Sequence, residues 1–341
     1  MTTPHVSIIV PAYNASTTIG ACVAALGAQA FNLPYEIIVV NDGSTDRTAA
    51  IAEAAGATVQ TIPNSRPAAA RNAGIRAAQG GIVCCTDADC VPHSDWLREI
   101  TAPFADPQVI ASKGTYATRQ RELVARFVQL EYEDKYDRMR QGEAIDFVDT
   151  YSAAYRRDVL LTNGSFDERF DYLEDQELSF RLAARGYRMV FQPAAVVDHQ
   201  HSATLGDYLR KKQTIGYWKA QVVRRYPGRA VQDSHTPQIM KVQMFLSVLL
   251  VVCILLGAGG LVIGPGQRNL SSALFLFSAT VGILFLATTL PFTRKAWPKD
   301  RAVALASPAL LLGRALALSV GYALGLLRPI RRRSDQTANV A

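Results

Sequence analysis

A short acidic turn with two aspartates one residue apart is the segment of this chain best suited to chemistry. Asp87 and Asp89 directly follow the apolar run Gly81-Ile82-Val83-Cys84-Cys85, which has the pattern of a buried strand. Two carboxylates at the end of a strand can hold a hard divalent cation, Mn²⁺ or Mg²⁺, and that cation can neutralise a diphosphate. The turn therefore favours a nucleotide-activated substrate, although ordinary acidic turns share its spacing.

The segments after two earlier apolar runs carry groups that suit a nucleoside. Pro11-Ala12-Tyr13-Asn14 follows residues 6–10, and Asp42-Gly43 follows residues 36–41. A carboxylate can accept hydrogen bonds from a base or a ribose, and an aromatic ring can stack on a base. Taken alone, Asp42-Gly43 is more often a simple turn than a binding site.

Strand-like and helix-like patterns alternate over the first part of the chain. This alternation is typical of βαβ units and predicts an α/β fold with a Rossmann-like, mainly parallel sheet. The candidate strands are residues 6–10, 36–41, 58–62, 82–86 and 109–112, and the candidate helices are residues 16–30, 45–55, 67–78 and 94–104. Thr45 and Ser94 are candidate N-caps. Ligands of such sheets bind outside the C-terminal strand ends, so we expect the candidate site residues to meet at one edge.

Three further segments complete the predicted domain. Residues 122–140 and 175–185 have helical patterns, and residues 150–155 are predicted as a loop or a short strand.

The last third of the chain has the composition of a membrane region. Residues 242–264 and 269–292 carry no charged side chain, and each is long enough to cross a hydrocarbon core of about 30 Å at about 1.5 Å per residue. Pro265-Gly266-Gln267-Arg268 between them predicts a tight hairpin. We therefore divide the chain into a catalytic domain, residues 1–235, and a membrane region with a basic tail, residues 236–341.

A third apolar segment, residues 302–327, permits two arrangements. Its length allows a full span, but it contains Pro308 and Arg314, and an arginine in the middle of a bilayer costs about 2.5–3.5 kcal/mol on the lenient insertion scale. Both flanks are basic, and positive charge favours the cytosolic side. We expect this segment to be interfacial or re-entrant with a cytosolic C-terminus, and a third span is the alternative.

The chain has a net charge of +7. The positions of its basic residues are explained better by binding to lipid headgroups than by binding to nucleic acid. Much of the excess positive charge flanks the apolar segments, at Arg210, Lys211, Lys212, Lys219, Arg224, Arg225, Arg229, Arg294, Lys295, Lys299, Arg301, Arg328, Arg331, Arg332 and Arg333. Anionic lipids attract such clusters, and no basic strand with interleaved aromatics of the kind that stacks bases is evident. Residues 1–5 lack the basic segment of a signal peptide. We expect a plasma (inner) membrane protein with a cytosolic catalytic domain.

The cysteines favour free thiols over a metal cluster. A cluster of Cys84, Cys85, Cys90 and His93 would lack C-x-x-C spacing, and the five cysteines are an odd number. Buried thiols in a reducing compartment explain them better. Cys84 and Cys85 are expected on opposite faces of one strand.

Five segments together resemble a known enzyme family. They are VSIIVPAYN (residues 6–14), EIIVVNDGSTDRT (36–48), ARNAG (70–74), TDAD (86–89) and LEDQELSFRL (173–182). In this order they resemble the family 2 glycosyltransferases over residues 6 to about 205. The resemblance implies a GT-A fold and transfer of a sugar from a nucleoside-diphosphate donor, expected to be UDP-linked, with Mn²⁺ or Mg²⁺ as the cofactor.

The resemblance also assigns roles to residues near the donor. Asp42 would contact the nucleobase, with Pro11 and Tyr13 packing nearby. Arg71 would contact the nucleotide or its phosphates, unless it is an ordinary surface arginine. Asp87 would approach the ribose or the metal, and Asp89 the metal itself.

Two histidines close to a predicted strand are further candidates. His199 and His201 follow the apolar pair Val196-Val197. A neutral imidazole is a frequent metal ligand, and some members of the family place a histidine here near the cation, so His199 is a candidate ligand. A hydrogen-bonded loop histidine fits the spacing equally well.

The acidic pair Glu174-Asp175 is the candidate catalytic centre. In an inverting displacement the acceptor hydroxyl loses its proton as it attacks the anomeric carbon, and a nearby carboxylate can take that proton. The resemblance gives this role to Asp175, with Glu174 beside it. Adjacent carboxylates resist joint ionisation, which raises the pKa of one of them. The alternative is an acidic pair that only stabilises a helix N-terminus.

Membrane proximity favours a lipid-linked or cell-envelope glycan acceptor. Processive polysaccharide synthases of this family carry a Q-x-x-R-W signature, whereas here Gln213 is followed by Thr214-Ile215-Gly216-Tyr217-Trp218. We therefore expect a non-processive enzyme, and a processive synthase or an inactive membrane scaffold are the alternatives. A nucleotidyltransferase would carry a glycine-rich phosphate loop after the first strand, which Pro11-Ala12-Tyr13 is not.

Overall fold

The chain folds into two compact units. The computed structural model describes residues 3–230, 236–263, 265–328 and 330. The first unit is built mainly from Met1–Arg121 and Glu131–His201, and the second mainly from Glu122–Leu130, Ser202–Gln232 and Thr236–Ala341. The domain boundary near residue 235 stays a prediction, and the structure groups residues 202–230 with the apolar helices.

Helices and strands alternate through the part of the chain that precedes residue 200, as expected for an α/β fold. The strands are β1 (Val6–Ala12), β2 (Tyr35–Asp42), β3 (Thr58–Ile62), β4 (Ile82–Cys85), β5 (Cys90–Pro92), β6 (Val109–Ala117), β7 (Ala153–Arg156) and β8 (Arg188–His199). The helices are α1 (Ile19–Gly27), α2 (Thr48–Ala54), α3 (Arg66–Ala77), α4 (Trp96–Thr101), α5 (Leu123–Met139), α6 (Arg157–Thr162) and α7 (Glu174–Ala184).

The strands form one mixed sheet in the order β3-β2-β1-β4-β7-β6-β8-β5. The first four strands in this order pair in parallel, and so do β6 and β8. Antiparallel pairs join β7 to β4 and β6, and β5 to β8. The C-terminal ends of β1, β2 and β4 therefore lie at the same edge of the sheet, which is where ligands of such sheets bind.

The sheet is buried on both faces, so its central strands are continuously apolar. One core cluster contains Ile8 and Cys84, and the other contains Ile9 and Cys85. The alternation of side chains along β4 thus sends the two neighbouring cysteines to opposite faces, as the sequence predicted. All five cysteines are buried and free.

The described residues of the second unit include four long helices. They are α8 (Leu205–Arg225), α9 (Gln238–Ile263), α10 (Arg268–Ala296) and α11 (Arg301–Leu327). The side chain of Thr204 caps α8, and that of Asp300 caps α11. Among the described residues, α9, α10 and α11 are long and apolar enough to cross a membrane, which indicates membrane association. The tight turn expected between the first two is a short 3₁₀ helix, Pro265–Gln267.

Two predicted helix starts are wrong. The N-caps of α2 and α4 are Arg47 and Asp95, so Thr45 and Ser94 do not cap these helices. The physical reason in the first case is a competing contact, because the Thr45 hydroxyl donates to Asn14 Oδ1 at 3.3 Å, while Asp46 Oδ1 accepts from the N–H of Thr48 at the start of α2. Residues 150–155 divide into a 3₁₀ turn and the start of β7.

We predict that Gly114→Ala lowers the free energy of unfolding by about 2 kcal/mol or more, the cost of overpacking a filled core. A Cβ at this position in β6 would lie 2.1 Å from the carbonyl oxygen of Ala195 and 2.1 Å from Ser152 Oγ. Thermal unfolding of the full chain in detergent measures the effect. Gly81→Ala is the matched control, because nothing lies within 4 Å of its Cβ position. Equal unfolding temperatures of the two variants would contradict the prediction.

Candidate active site

The loops after β1 and β2 hold each other through polar contacts. Asn14 adopts a left-handed backbone with φ of 47°. Its Oδ1 accepts from the backbone N–H of Thr45, and its own N–H donates to Ser44 Oγ at 3.0 Å. These contacts fix the position of Tyr13, whose side chain is 52% exposed. An exposed aromatic ring at a strand end is available to a ligand, and Pro11 lies within β1 two residues before it.

Asp42 is buried and accepts two backbone hydrogen bonds. Its Oδ1 accepts from the N–H of Ser65 at 2.7 Å, and its Oδ2 accepts from the N–H of Arg66 at 2.8 Å. The carboxylate thus satisfies the first N–H groups of α3. Gly43 follows with φ of 71°, and a Cβ there would lie 2.8 Å from the backbone nitrogen of Asn64, so only glycine fits the turn. The contact of Asp42 with a nucleobase stays a prediction.

Arg71 joins two of the acidic segments. The side chain belongs to α3 and is 4% exposed, so the surface-arginine alternative is wrong. One end of its guanidinium donates to Asp87 Oδ1 at 2.8 Å, and the other pairs with Glu174. Both carboxylates raise the pKa of Arg71 and oppose the effect of burial. A permanently charged, fork-shaped donor is well suited to bridge two carboxylates.

Asp87 and Asp89 form the group of side chains best able to hold a cation. One potential ligand atom from each of Asp87, Asp89 and Cys90 lies within 4.8 Å of the others. Burial, together with the two aspartates, raises the pKa of Cys90 well above its usual value, so the thiol stays protonated and is a poor ligand. His199 Nε2 lies 3.4 Å from Asp89 Oδ2. Two carboxylates with an adjacent imidazole fit Mn²⁺ or Mg²⁺.

Both histidines are buried in an aromatic cluster behind Asp89. The Nδ1 atoms of His199 and His201 lie 3.1 Å apart. The ring of His199 packs on Tyr116 with centroids 4.4 Å apart, and His201 stacks on Tyr132 at 5.7 Å. His199 is the last residue of β8, and the register of β8 with β5 pairs it with Cys90. The sheet thus brings the end of β8 to the acidic turn.

The acidic pair begins α7 and its two members have different surroundings. Leu173, the N-cap, has a left-handed backbone with φ of 62°. Glu174 is buried against Arg71, while Asp175 keeps a partly exposed surface. Burial of the carboxyl group raises the pKa of Asp175 well above its usual value, and the negative charges of Glu174 and Asp149 add to this effect. A carboxylate with a raised pKa is a stronger base.

Sequence reasoning missed a buried charge pair behind Asp175. Lys113 in β6 is fully buried, and its Nζ donates to the carboxylate of Asp149 and to the hydroxyl of Tyr151 at 3.0 Å. Ser179 Oγ donates to the carbonyl oxygen of Asp175 and accepts from the N–H of Val148. These contacts tie the first turn of α7 to the segment that carries Asp149. The sequence did offer one signal of this pair, because Lys113 is the single charged residue in the run of residues 109–117.

Comparison with known proteins gives a family match over part of the chain and a fold. Residues 7–162 match the model of glycosyl transferase family 2. The mannosyltransferase PcManGT from Pyrobaculum calidifontis, solved in complex with GDP-Man and Mn²⁺, superposes with a TM-score of 0.58. It is 20% identical, and the superposition covers 96% of this chain and 88% of that chain. That likeness establishes the fold.

Curated relatives that are named glycosyltransferases are similar over about two thirds of the chain. The pre-mycofactocin glycosyltransferase of Mycobacterium tuberculosis is 26% identical over 234 residues, which cover 66% of this chain and 48% of the relative. Glycosyltransferase AglE of Haloferax volcanii is 27% identical over 240 residues, which cover 65% of this chain and 75% of the relative. The chain thus spans about half the length of the first relative. The family match thus lies within residues 7–162, and the superposition gives the chain a GT-A fold.

Proposed function

We propose that the protein is a metal-dependent, inverting glycosyltransferase that moves one sugar from a nucleoside-diphosphate donor to a membrane-borne acceptor. The observation that carries the proposal is the bridge of Arg71 between Asp87 and Glu174. It joins the candidate cation site at the end of β4 to the candidate base at the start of α7. A donor diphosphate and an acceptor hydroxyl must be held side by side in such a reaction, and this bridge supports that arrangement.

The donor half of the site rests on four strand ends, those of β1, β2, β4 and β8. Asp87, Asp89 and His199 would hold Mn²⁺ or Mg²⁺, which when bound would neutralise the negative charge of the departing diphosphate. The exposed ring of Tyr13 would stack on the base, and Asp42 would order the loop around it. PcManGT was solved with GDP-Man and Mn²⁺, which supports a nucleotide-sugar donor and a divalent cation for this fold. We retain UDP as the expected nucleotide.

The acceptor half of the site rests on Asp175. The acceptor oxygen forms a bond to the anomeric carbon while the bond from that carbon to the diphosphate breaks, and the hydroxyl proton passes to the carboxylate of Asp175. Attack on the face opposite the leaving group inverts the anomeric configuration. Glu174 and Asp149 keep this carboxylate basic through their charges, while Arg71 and Ser179 hold the helix turn that carries it.

The acceptor is proposed to be a lipid-linked or cell-envelope glycan at the cytosolic face of the plasma membrane. The three apolar helices support an acceptor that is delivered by the membrane. The missing arginine before Trp218 supports a single transfer in place of processive synthesis.

The proposal is tested by offering the purified full chain a panel of nucleotide sugars with Mn²⁺ and a membrane lipid extract as the acceptor source. Release of the nucleoside diphosphate and transfer of labelled sugar are measured together. We expect one donor to give both signals, and both signals to be lost in EDTA and recovered when Mn²⁺ is added back. Full activity in EDTA would refute the metal dependence.

We predict that Asp89→Ala abolishes Mn²⁺-dependent donor binding, because a hard cation prefers a paired field of carboxylate oxygens. Calorimetric titration of the donor with and without Mn²⁺ measures the effect. Asp95→Ala is the matched control, since Asp95 is a partly exposed aspartate at the start of α4 that pairs loosely with Arg98 at 3.5 Å. Donor binding by Asp89→Ala that still responds to Mn²⁺ would remove Asp89 from the cation site.

We predict that Asp175→Asn lowers kcat by about 10²- to 10⁴-fold, the usual cost of losing a general base, and leaves donor affinity close to that of the unchanged protein. Donor titration and steady-state kinetics on the same preparation separate the two quantities. If donor affinity collapses while kcat at saturation survives, Asp175 is a binding residue.

We predict that Glu174→Gln moves the acid limb of the kcat/KM profile to lower pH. Removing a neighbouring negative charge favours the ionised form of Asp175, so its raised pKa falls. Rates measured across the acid range locate the limb. Glu122→Gln, an exposed substitution outside the site, should leave the limb in place. A limb that stays in place or rises in Glu174→Gln would contradict the assignment of Asp175.

A further inference from the structure

Helices α8 and α11 pack closely enough that only glycine fits at their contact. A Cβ added to Gly321 would lie 1.9 Å from the carbonyl oxygen of Gln213. A Cβ on Gly216 would lie 2.3 Å from the carbonyl oxygen of Leu318, and one on Gly325 would lie 2.4 Å from that of Tyr217. Glycines on both helices therefore let the two backbones touch.

The two helices run in the same direction along this contact. Gly313 lies against Leu209 near the start of α8. Farther along, Gln221 Nε2 donates to the carbonyl oxygen of Gly325 at 2.7 Å, and Arg224 donates to that of Leu326 at 2.8 Å. Helix α8 thus packs in parallel along nearly the whole second half of α11.

Helix α8 is strongly basic. Its cations are Arg210, Lys211, Lys212, Lys219, Arg224 and Arg225, against the single acid Asp207. Arg210 and Lys211 are exposed near the level of Gly313, which is close to the middle of α11. If α11 crossed a bilayer, α8 would carry these charges into the hydrocarbon core, where charged side chains are strongly disfavoured.

The contacts of α11 with the hairpin of α9 and α10 lie toward the open end of that hairpin. Ser307 pairs with Thr293 at 2.7 Å, and Arg314 Nη2 donates to Gln243 Oε1 at 2.6 Å. Gln243 lies only two residues, or about 3 Å along the helix axis, beyond Lys241 of α9. Its contact therefore places Arg314 close to the charged end of the hairpin. In a spanning α11, Arg314 would instead lie about 20 Å from Arg301, near the bilayer midplane.

We propose that α8 and α11 lie together in the membrane interface as a cationic surface for anionic phospholipid headgroups, and that the hairpin of α9 and α10 supplies the span. The exposed cations of α8 meet lipid phosphates, and exposed apolar residues of α11, among them Leu305, Val320 and Leu327, enter the acyl boundary. Charge complementarity favours anionic lipid as the occupant, because apolar and basic side chains are both presented by one helix pair. The C-terminal end of α11 then remains on the cytosolic side.

Depth measurements on the full chain in liposomes test the arrangement. Single cysteines replace Leu305, Val320 or Leu327 in a background whose five native cysteines are alanine, and each carries a nitroxide label. Ile283→Cys on α10, a 67% exposed position, is the deep control. We expect the three α11 labels to be equally shallow and the control to be deep. In a spanning helix that rises about 1.5 Å per residue, the Val320 label would lie about 10 Å deeper than the Leu327 label. That result would overturn the proposal.

A second measurement tests the lipid class and is independent of enzymatic activity. A fluorophore on Thr214→Cys of α8 reports headgroup contact in liposomes with phosphatidylglycerol or with phosphatidylcholine alone. We expect stronger contact with the anionic lipid, reduced on the order of tenfold by the double change Arg210→Glu and Lys211→Glu. Arg47→Glu with Arg76→Glu is the matched control. Equal contact in both lipids would overturn the proposal and favour an acidic protein as the partner of α8.

Discussion

The geometry of the site depends on one buried guanidinium held between two carboxylates. Asp87 and Glu174 lie on separate elements far apart in the chain, and Arg71 binds both. Removing one partner of such a buried pair costs about 3–5 kcal/mol, because it leaves a charge without compensation. The same contact that keeps α7 against the sheet therefore sets the separation between the candidate cation site and the candidate base. Stability and catalytic geometry are coupled through one side chain.

Backbone strain is concentrated in the loops around this bridge. Asn14, Arg66, Ser165 and Leu173 have positive φ without being glycine, a conformation that costs of order 1 kcal/mol or more per residue. Arg66 is held by Asp42, Asn14 by Thr45, and Leu173 precedes the helix turn that Arg71 anchors. Strain of this kind persists only where surrounding contacts over-determine the backbone. Its location at the carboxylate-bearing edge is what a preorganised site requires.

The sequence predicted those features that depend on neighbours in the chain and missed those that depend on distant ones. The strands and the apolar helices follow from periodicity, and the strand-end carboxylates from short motifs. The burial of Arg71 could not be read from its helix, because Asp87 and Glu174 bury it from elsewhere in the chain. The pair of Lys113 and Asp149 was missed for the same reason. Thr45 was taken for a cap because its competing partner, Asn14, lies 31 residues away.

The membrane region shows the limit of reasoning from length and hydropathy alone. By those measures α11 is a candidate span, as α9 and α10 are. The proposed interfacial position follows from its neighbour α8, because Arg210, Lys211 and Lys212 would each cost about 2.5–3.5 kcal/mol at the centre of a bilayer, whereas each contributes about 1 kcal/mol of attraction at an anionic surface. The difference exceeds 10 kcal/mol for three charges, which is larger than the net stability of many domains. In the proposed arrangement, a helix that is apolar by itself is kept at the surface by the charges of the helix it packs against.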